Sequence, residues 1–136
     1  MSKSSISIVY KNNLRTEAVH LSSGEIIITD APIDNNGKGE AFSPTDLVAT
    51  ALGSCMITIM GIAARKNNID ISGTSASVKK IMESNPRMIK EIIIDINMKN
   101  HIDGNDRKRL ERAALSCPVH KSLHPSIKKT ISFFYK

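Results

Sequence analysis

Apolar and polar positions change rhythm several times along this chain, and each rhythm predicts an element. Ile6 to Tyr10, Leu14 to Leu21 and Glu25 to Asp30 read as three strands, with Ser22-Ser23-Gly24 as the turn between the last two. Ala31 to Phe42 breaks the pattern: Pro32, Asn35, Asn36, Gly37 and Gly39 make a loop composition that tolerates positive φ. Ser43-Pro44-Thr45-Asp46 then reads as a helix start. The Ser43 hydroxyl can cap an orphan amide, Pro44 suits the first turn, and Asp46 favours the positive end of the helix. The helix should run to about Lys66, roughly 34 Å at 1.5 Å per residue.

Stepping about 100° per residue places Ala51, Ile62, Cys55, Val48, Ile59, Leu52, Ala63 and Met56 on one broad apolar face, with Cys55 near its middle and therefore expected to be buried. The opposite arc carries Thr50, Ser54, Thr58 and Gly61, small residues that would admit another helix or a second subunit. The uncharged run from Leu47 to Ala64 reaches the lower limit for a membrane span. Its hydroxyl residues and two glycines, and the strands on either side that need covering, favour the core helix of a soluble protein with no membrane partner.

Two further strands are predicted over Asp70 to Met82 and Met88 to Lys99, joined through Asn85-Pro86. In the second, Ile92, Ile94, Ile96 and Met98 alternate with Glu91, Asp95 and Asn97, which gives one core face and one mostly wet face. Asp103-Gly104-Asn105 starts a second helix, in which Leu110, Ala113, Ala114 and Cys117 recur at helical spacing until Pro118 interrupts it. A short turn or helix, Val119 to Leu123, leads to a last strand, Thr130 to Tyr135. The order βββ, α, ββ, α, β lacks the alternation of doubly wound sheets, so the expected class is α+β, with a long helix packed on antiparallel sheet.

A length of 136 residues at 40% hydrophobic content fits a single domain spanning 1–136. The net charge of +6 would allow an acidic partner, yet aromatics are only 4% and Trp is absent. Lys79, Lys80, Lys108, Arg109, Arg112, Lys128 and Lys129 are spread over separate segments, as on solvated faces, which argues against nucleic-acid binding. Met1 to Ser7 is polar and no apolar core follows before Lys11, so no secretory signal is read and a cytoplasmic protein is expected. In that reducing setting a purely structural disulfide is not expected.

The two cysteines are the best clue to chemistry. Cys55 lies in the uncharged helix; judged alone it reads as a small buried hydrophobe. Cys117, followed by Pro118, can cap a new helical turn whose amides would favour thiolate, which makes it the more acidic thiol on this argument. Cys117-Pro118-Val119-His120 is also Cys-x-x-His, a spacing that with Cys55, His20 or His124 could complete a metal site but arises easily by chance. Asn36-Gly37-Lys38-Gly39 lacks the spacing of a phosphate loop, and no Gly-x-Ser-x-Gly elbow is present. No cofactor or metal is expected.

Ser43-Pro44-Thr45-Asp46-Leu47-Val48-Ala49-Thr50-Ala51-Leu52-Gly53-Ser54-Cys55, followed by Cys117-Pro118-Val119-His120-Lys121-Ser122-Leu123, resembles the osmotically inducible protein C and organic hydroperoxide resistance (OsmC/Ohr) family. The likeness includes the strand order and the approach Thr29-Asp30-Ala31-Pro32. The resemblance implies an intertwined homodimer with two long helices packed at its centre. It also implies thiol peroxidase activity: Cys55 attacks an organic hydroperoxide, Cys117 resolves the sulfenic acid as a disulfide, and a lipoyl-type dithiol or small thiol returns the electrons. An arginine paired with a glutamate serves the attacking thiol in that family, and Arg15 is the matching candidate. The family's peroxidases usually carry Asn-Pro-Glu before the helix, whereas Thr45 stands at the glutamate position here. Asp46, Glu17 and Glu40 are the candidate carboxylates for Arg15. The alternative implied by this departure is a small-hydrophobic-ligand binder, or another thiol-dependent stress protein without efficient peroxidase activity.

Overall fold

The computed structural model describes residues 4–136; Met1, Ser2 and Lys3, the first of the polar start, lie outside the described residues. The chain forms two compact units, one ending at Leu47 and one from Val48 to Lys136.

In the first unit, β1 (Ile6–Asn12), β2 (Arg15–His20) and β3 (Ile26–Asp30) form an antiparallel sheet in that order. The β2–β3 hairpin closes where Ser22-Ser23-Gly24 predicts it: Gly24, at φ +80°, donates its amide to the His20 carbonyl at 2.7 Å. All seven residues of β1 are exposed, Ile6, Ile8, Val9 and Tyr10 among them. Beyond β3 the chain makes a 3-10 turn over Ile33–Asn35 and folds back on itself. A Cβ on Gly37 would lie 1.8 Å from the Ala31 carbonyl oxygen, so only glycine permits this closure.

Helix α1 (Pro44–Lys66) has the bounds predicted from sequence. Its start is a reciprocal capping box: the Asp46 amide donates to Ser43 Oγ, and the Ser43 amide donates to Asp46 Oδ2, both at 3.0 Å. By length and composition α1 could cross a membrane. In the second unit its stripe of Ala49, Leu52, Met56, Met60 and Ala64 instead packs into a common core with the sheet. Gly53 permits the approach, since a Cβ there would stand 3.1 Å from Val78 Cγ2.

The second unit continues with β4 (Ser75–Glu83), β5 (Met88–Met98), α2 (Gly104–Leu115), α3 (Pro118–Ser122) and β6 (Lys128–Tyr135). Ile92, Ile94 and Ile96 of β5 have no exposed surface, as their alternation predicts. Two details differ from the sequence reading. Strand β4 begins at Ser75 rather than Asp70, because Asp70 Oδ1 accepts from the Ser72 amide and the Thr74 amide bonds the Ile71 carbonyl, a local turn that competes with the ladder. The sheet β4-β5-β6 is mixed: β4 pairs antiparallel with β5, but β6 runs parallel to it. A parallel neighbour needs a crossover, and the segment carrying α2 and α3 supplies it. The Tyr135 hydroxyl donates to Glu111 Oε2 and Arg107 lies 4.3 Å from the Tyr135 ring centre, which ties α2 to the end of β6.

Candidate active site

The two cysteines meet in the second unit. Cys117 follows Leu115 and Ser116 at the end of α2 and caps α3, and it has no exposed surface. Its Sγ accepts the His120 amide at 3.3 Å, and its own amide donates to the Ala114 carbonyl at 3.2 Å. The helix-cap geometry expected from Cys117-Pro118 is therefore present, but burial outweighs its effect on acidity. Burial pushes the Cys117 thiol above the ordinary thiol range and outweighs the His120 and Val119 amides; a hydrogen bond with Cys55 and the charge of Cys55 act in the same direction as burial.

Cys55 is that neighbour, and both cysteines are free thiols. The sequence places Cys55 near the middle of the buried face; the structure places it at the border, half-buried, about 100° around the helix from Met56. Ala51 and Ile62, assigned to the same face, are exposed. The buried stripe follows Leu52, Met56 and Met60 because these side chains face the isoleucines of β5.

In the first unit, Arg15 opens β2 directly opposite Asp30 at the end of β3. The cross-strand pair is bidentate, with Arg15 Nε 2.7 Å from Asp30 Oδ1 and Nη2 2.9 Å from Oδ2. Nη2 also donates to Glu40 Oε1 at 3.2 Å, and the Glu40 amide donates to Asp30 Oδ2 at 3.1 Å. The loop that Gly37 closes thus brings Glu40 onto the same ion cluster. The Arg15 hydrogen bonds hold the Asp30 carboxyl below the usual range, and Asp30 in turn raises the Arg15 pKa, so the guanidinium stays charged. The Asp30 side chain has no exposed surface, whereas 31% of the Arg15 side chain remains open to solvent.

Of the three carboxylates considered for Arg15, Glu40 lies within bonding distance. Asp46 is engaged instead in the α1 capping box, where its position one residue past Thr45 turns it. Glu17 sits in mid-strand between Val9 and Ile28, and among the described residues it makes no ion pair with Arg15. Asp30, the strongest partner, is not among the carboxylates that the sequence reading offers Arg15. The signal was available: a turn at Ser22-Ser23 fixes a hairpin register in which Arg15 faces Asp30. Among the described residues no three His, Cys, Asp or Glu side chains converge as metal ligands.

The sequence model described as OsmC-like protein matches residues 37–132, a span that includes both cysteines and the whole of α1. The chain belongs to the OsmC-like protein family. A solved protein of Psychrobacter arcticus 273-4, provisionally assigned to the osmotic stress induced and detoxification response, is 49% identical to this OsmC-like chain; the match covers 98% of this chain and 97% of that one, with a TM-score of 0.95. The organic hydroperoxide resistance protein OsmC of Legionella pneumophila shares the fold at 14% identity and TM-score 0.75, over 95% of this chain and 94% of its own. An organic hydroperoxide resistance protein of Elizabethkingia anophelis does so at 13% identity and TM-score 0.75, over 99% of each chain. No curated protein matches the OsmC-like chain.

Proposed function

We propose that this OsmC-like protein is a thiol peroxidase that reduces organic hydroperoxides. The observation that carries the reading is the meeting of Cys55, half-buried, with Cys117, fully buried and holding its proton. The Cys55 thiolate attacks the terminal peroxide oxygen; the O–O bond breaks, and the alkoxide leaves and takes a proton to become the alcohol. The Cys117 thiol then attacks the Cys55 sulfenic acid, and water leaves as the disulfide forms. A dithiol reductant, available in a reducing cytoplasm, restores both thiols. We assign Arg15, kept charged by Asp30 and Glu40, the role of favouring thiolate and binding peroxide.

A homodimer belongs to the same proposal. The exposed row Thr50, Ser54, Thr58 and Ile62 on α1 and the exposed isoleucines of β1 and β3 offer the apolar and small-residue surface that a second copy would cover. Purified protein should consume cumene hydroperoxide in the presence of a dithiol, and Cys55→Ser should abolish turnover while Cys117→Ser forms no intramolecular disulfide. Undiminished activity of Cys55→Ser refutes the reading. Solution mass tests the dimer, and a clean monomer at working concentration removes it.

A further inference from the structure

The two sulfurs differ in a way that decides how the oxidised enzyme is reduced. Cys55 has exposed surface and Cys117 has none. Cys117 Sγ also sits against the His120 amide, which donates to it at 3.3 Å. Thiol–disulfide exchange needs access to the sulfur under attack, and it runs faster when the departing thiolate is stabilised. Access selects Cys55 as the sulfur under attack; burial works against the departure of Cys117, and the His120 amide offsets part of that cost.

We infer that the reductant attacks Cys55 Sγ alone, and that Cys117 is the leaving group, received by the backbone amide of His120. The inference rests on the peroxidase reading above. A dithiol thiolate bonds to Cys55 Sγ as the Cys55–Cys117 bond breaks. The bonding pair leaves on Cys117, which takes up a proton and returns to its buried thiol state. The second thiol of the reductant then attacks the reductant's own sulfur in the mixed disulfide, releasing Cys55 thiolate and the cyclic oxidised dithiol. Two thiols of the reductant are oxidised and two cysteines are reduced, so electrons balance. Peroxide and reductant therefore react at the same sulfur, the first with the reduced protein and the second with the oxidised one.

The test uses the full-length wild-type protein. One equivalent of cumene hydroperoxide is added, and peptide mapping checks for the Cys55–Cys117 bond before any thiol is present. Absence of that bond overturns the peroxidase reading and this inference together. With the bond in place, excess 2-mercaptoethanol is added in the presence of iodoacetamide. The expected species carries mercaptoethanol on Cys55 and carbamidomethyl on Cys117, in at least about tenfold excess over the reverse; equal or inverted labelling overturns the inference while leaving the peroxidase reading intact. A second measurement decides the case if no adduct is captured. His120→Pro removes the N–H within the first turn of α3, where proline is tolerated. Its preformed disulfide should be reduced by dithiothreitol about tenfold more slowly than that of His120→Ala, which keeps the N–H. Equal rates overturn the leaving-group assignment, and if His120→Pro does not fold, the labelling of the wild-type protein decides alone, with failure to capture mercaptoethanol on Cys55 counted against the inference.

Discussion

Leu52→Ala tests whether α1 is the core helix that the second unit is built around. Leu52 has no exposed surface and packs with Met56, Met60 and the isoleucines of β5. Truncation removes three carbons, worth roughly 2.4 kcal/mol at about 0.8 kcal/mol per buried CH₂. A residual cavity adds about 1 to 2 kcal/mol, at roughly 24 cal/mol per Å³ for a void of some 40 to 80 Å³. The expected loss is therefore about 3.5 to 4.5 kcal/mol. For 136 residues the unfolding entropy is about 0.29 kcal/mol/K at roughly 2.1 cal/mol/K per residue, so Tm should fall by about 12 to 15 °C. Urea unfolding followed by circular dichroism measures the loss directly, with wild type and variant compared at equal concentration so that any self-association cancels. A loss below about 1 kcal/mol would refute the packing argument, because a leucine facing lipid or solvent in both states leaves no cavity.

Three further outcomes follow from the first unit and the helix start. Arg15 depresses the Asp30 pKa, so Asp30 contributes stability that is present above the ordinary carboxylate pKa and is lost as pH falls through its folded value; Tm measured downward from about pH 4 should drop less steeply in Asp30→Asn than in wild type, and parallel curves would contradict the assignment. Gly37→Ala places a Cβ where the Ala31 carbonyl stands, so the loop must move; hydrogen exchange at the Glu40 amide should accelerate by at least tenfold, and unchanged protection would show that the closure does not need glycine. Ser43→Ala removes the buried hydroxyl that caps α1 and should cost about 1 kcal/mol, read as a Tm decrease of about 3 to 4 °C, whereas Ser43→Thr should recover most of it.

Much of the architecture is written in short-range signals. Ser43-Pro44-Thr45-Asp46 carries the start of α1 and the alternation along β5 carries its core face, because caps and pleats depend only on near neighbours. The parallel pairing of β6 was not legible, since strand direction is set by how the crossover returns rather than by any residue in the strand. Within the site, both cysteines and Arg15 were found as residues, and Glu40 among the carboxylates. Asp30 needed register arithmetic across the hairpin, and the half-burial of Cys55 needed the position of β5, because a periodic helix has several apolar arcs and only the sheet selects one. The acidity of Cys117 differs from the sequence expectation for a related reason: a cap is visible in sequence, but the burial that outweighs it is a property of packing.

The exposed first strand has a consequence for handling this molecule. Ser5 to Tyr10 is an uncharged, proline-free stretch of strand-forming residues on a sheet edge, the kind of segment that templates cross-β stacking when nothing shields it. Lys11 is the single charge within β1. Variants that loosen this sheet should precipitate before they melt, so light scattering belongs beside every thermal scan of them, and an added lysine in place of Ser7 is the conservative way to keep them in solution.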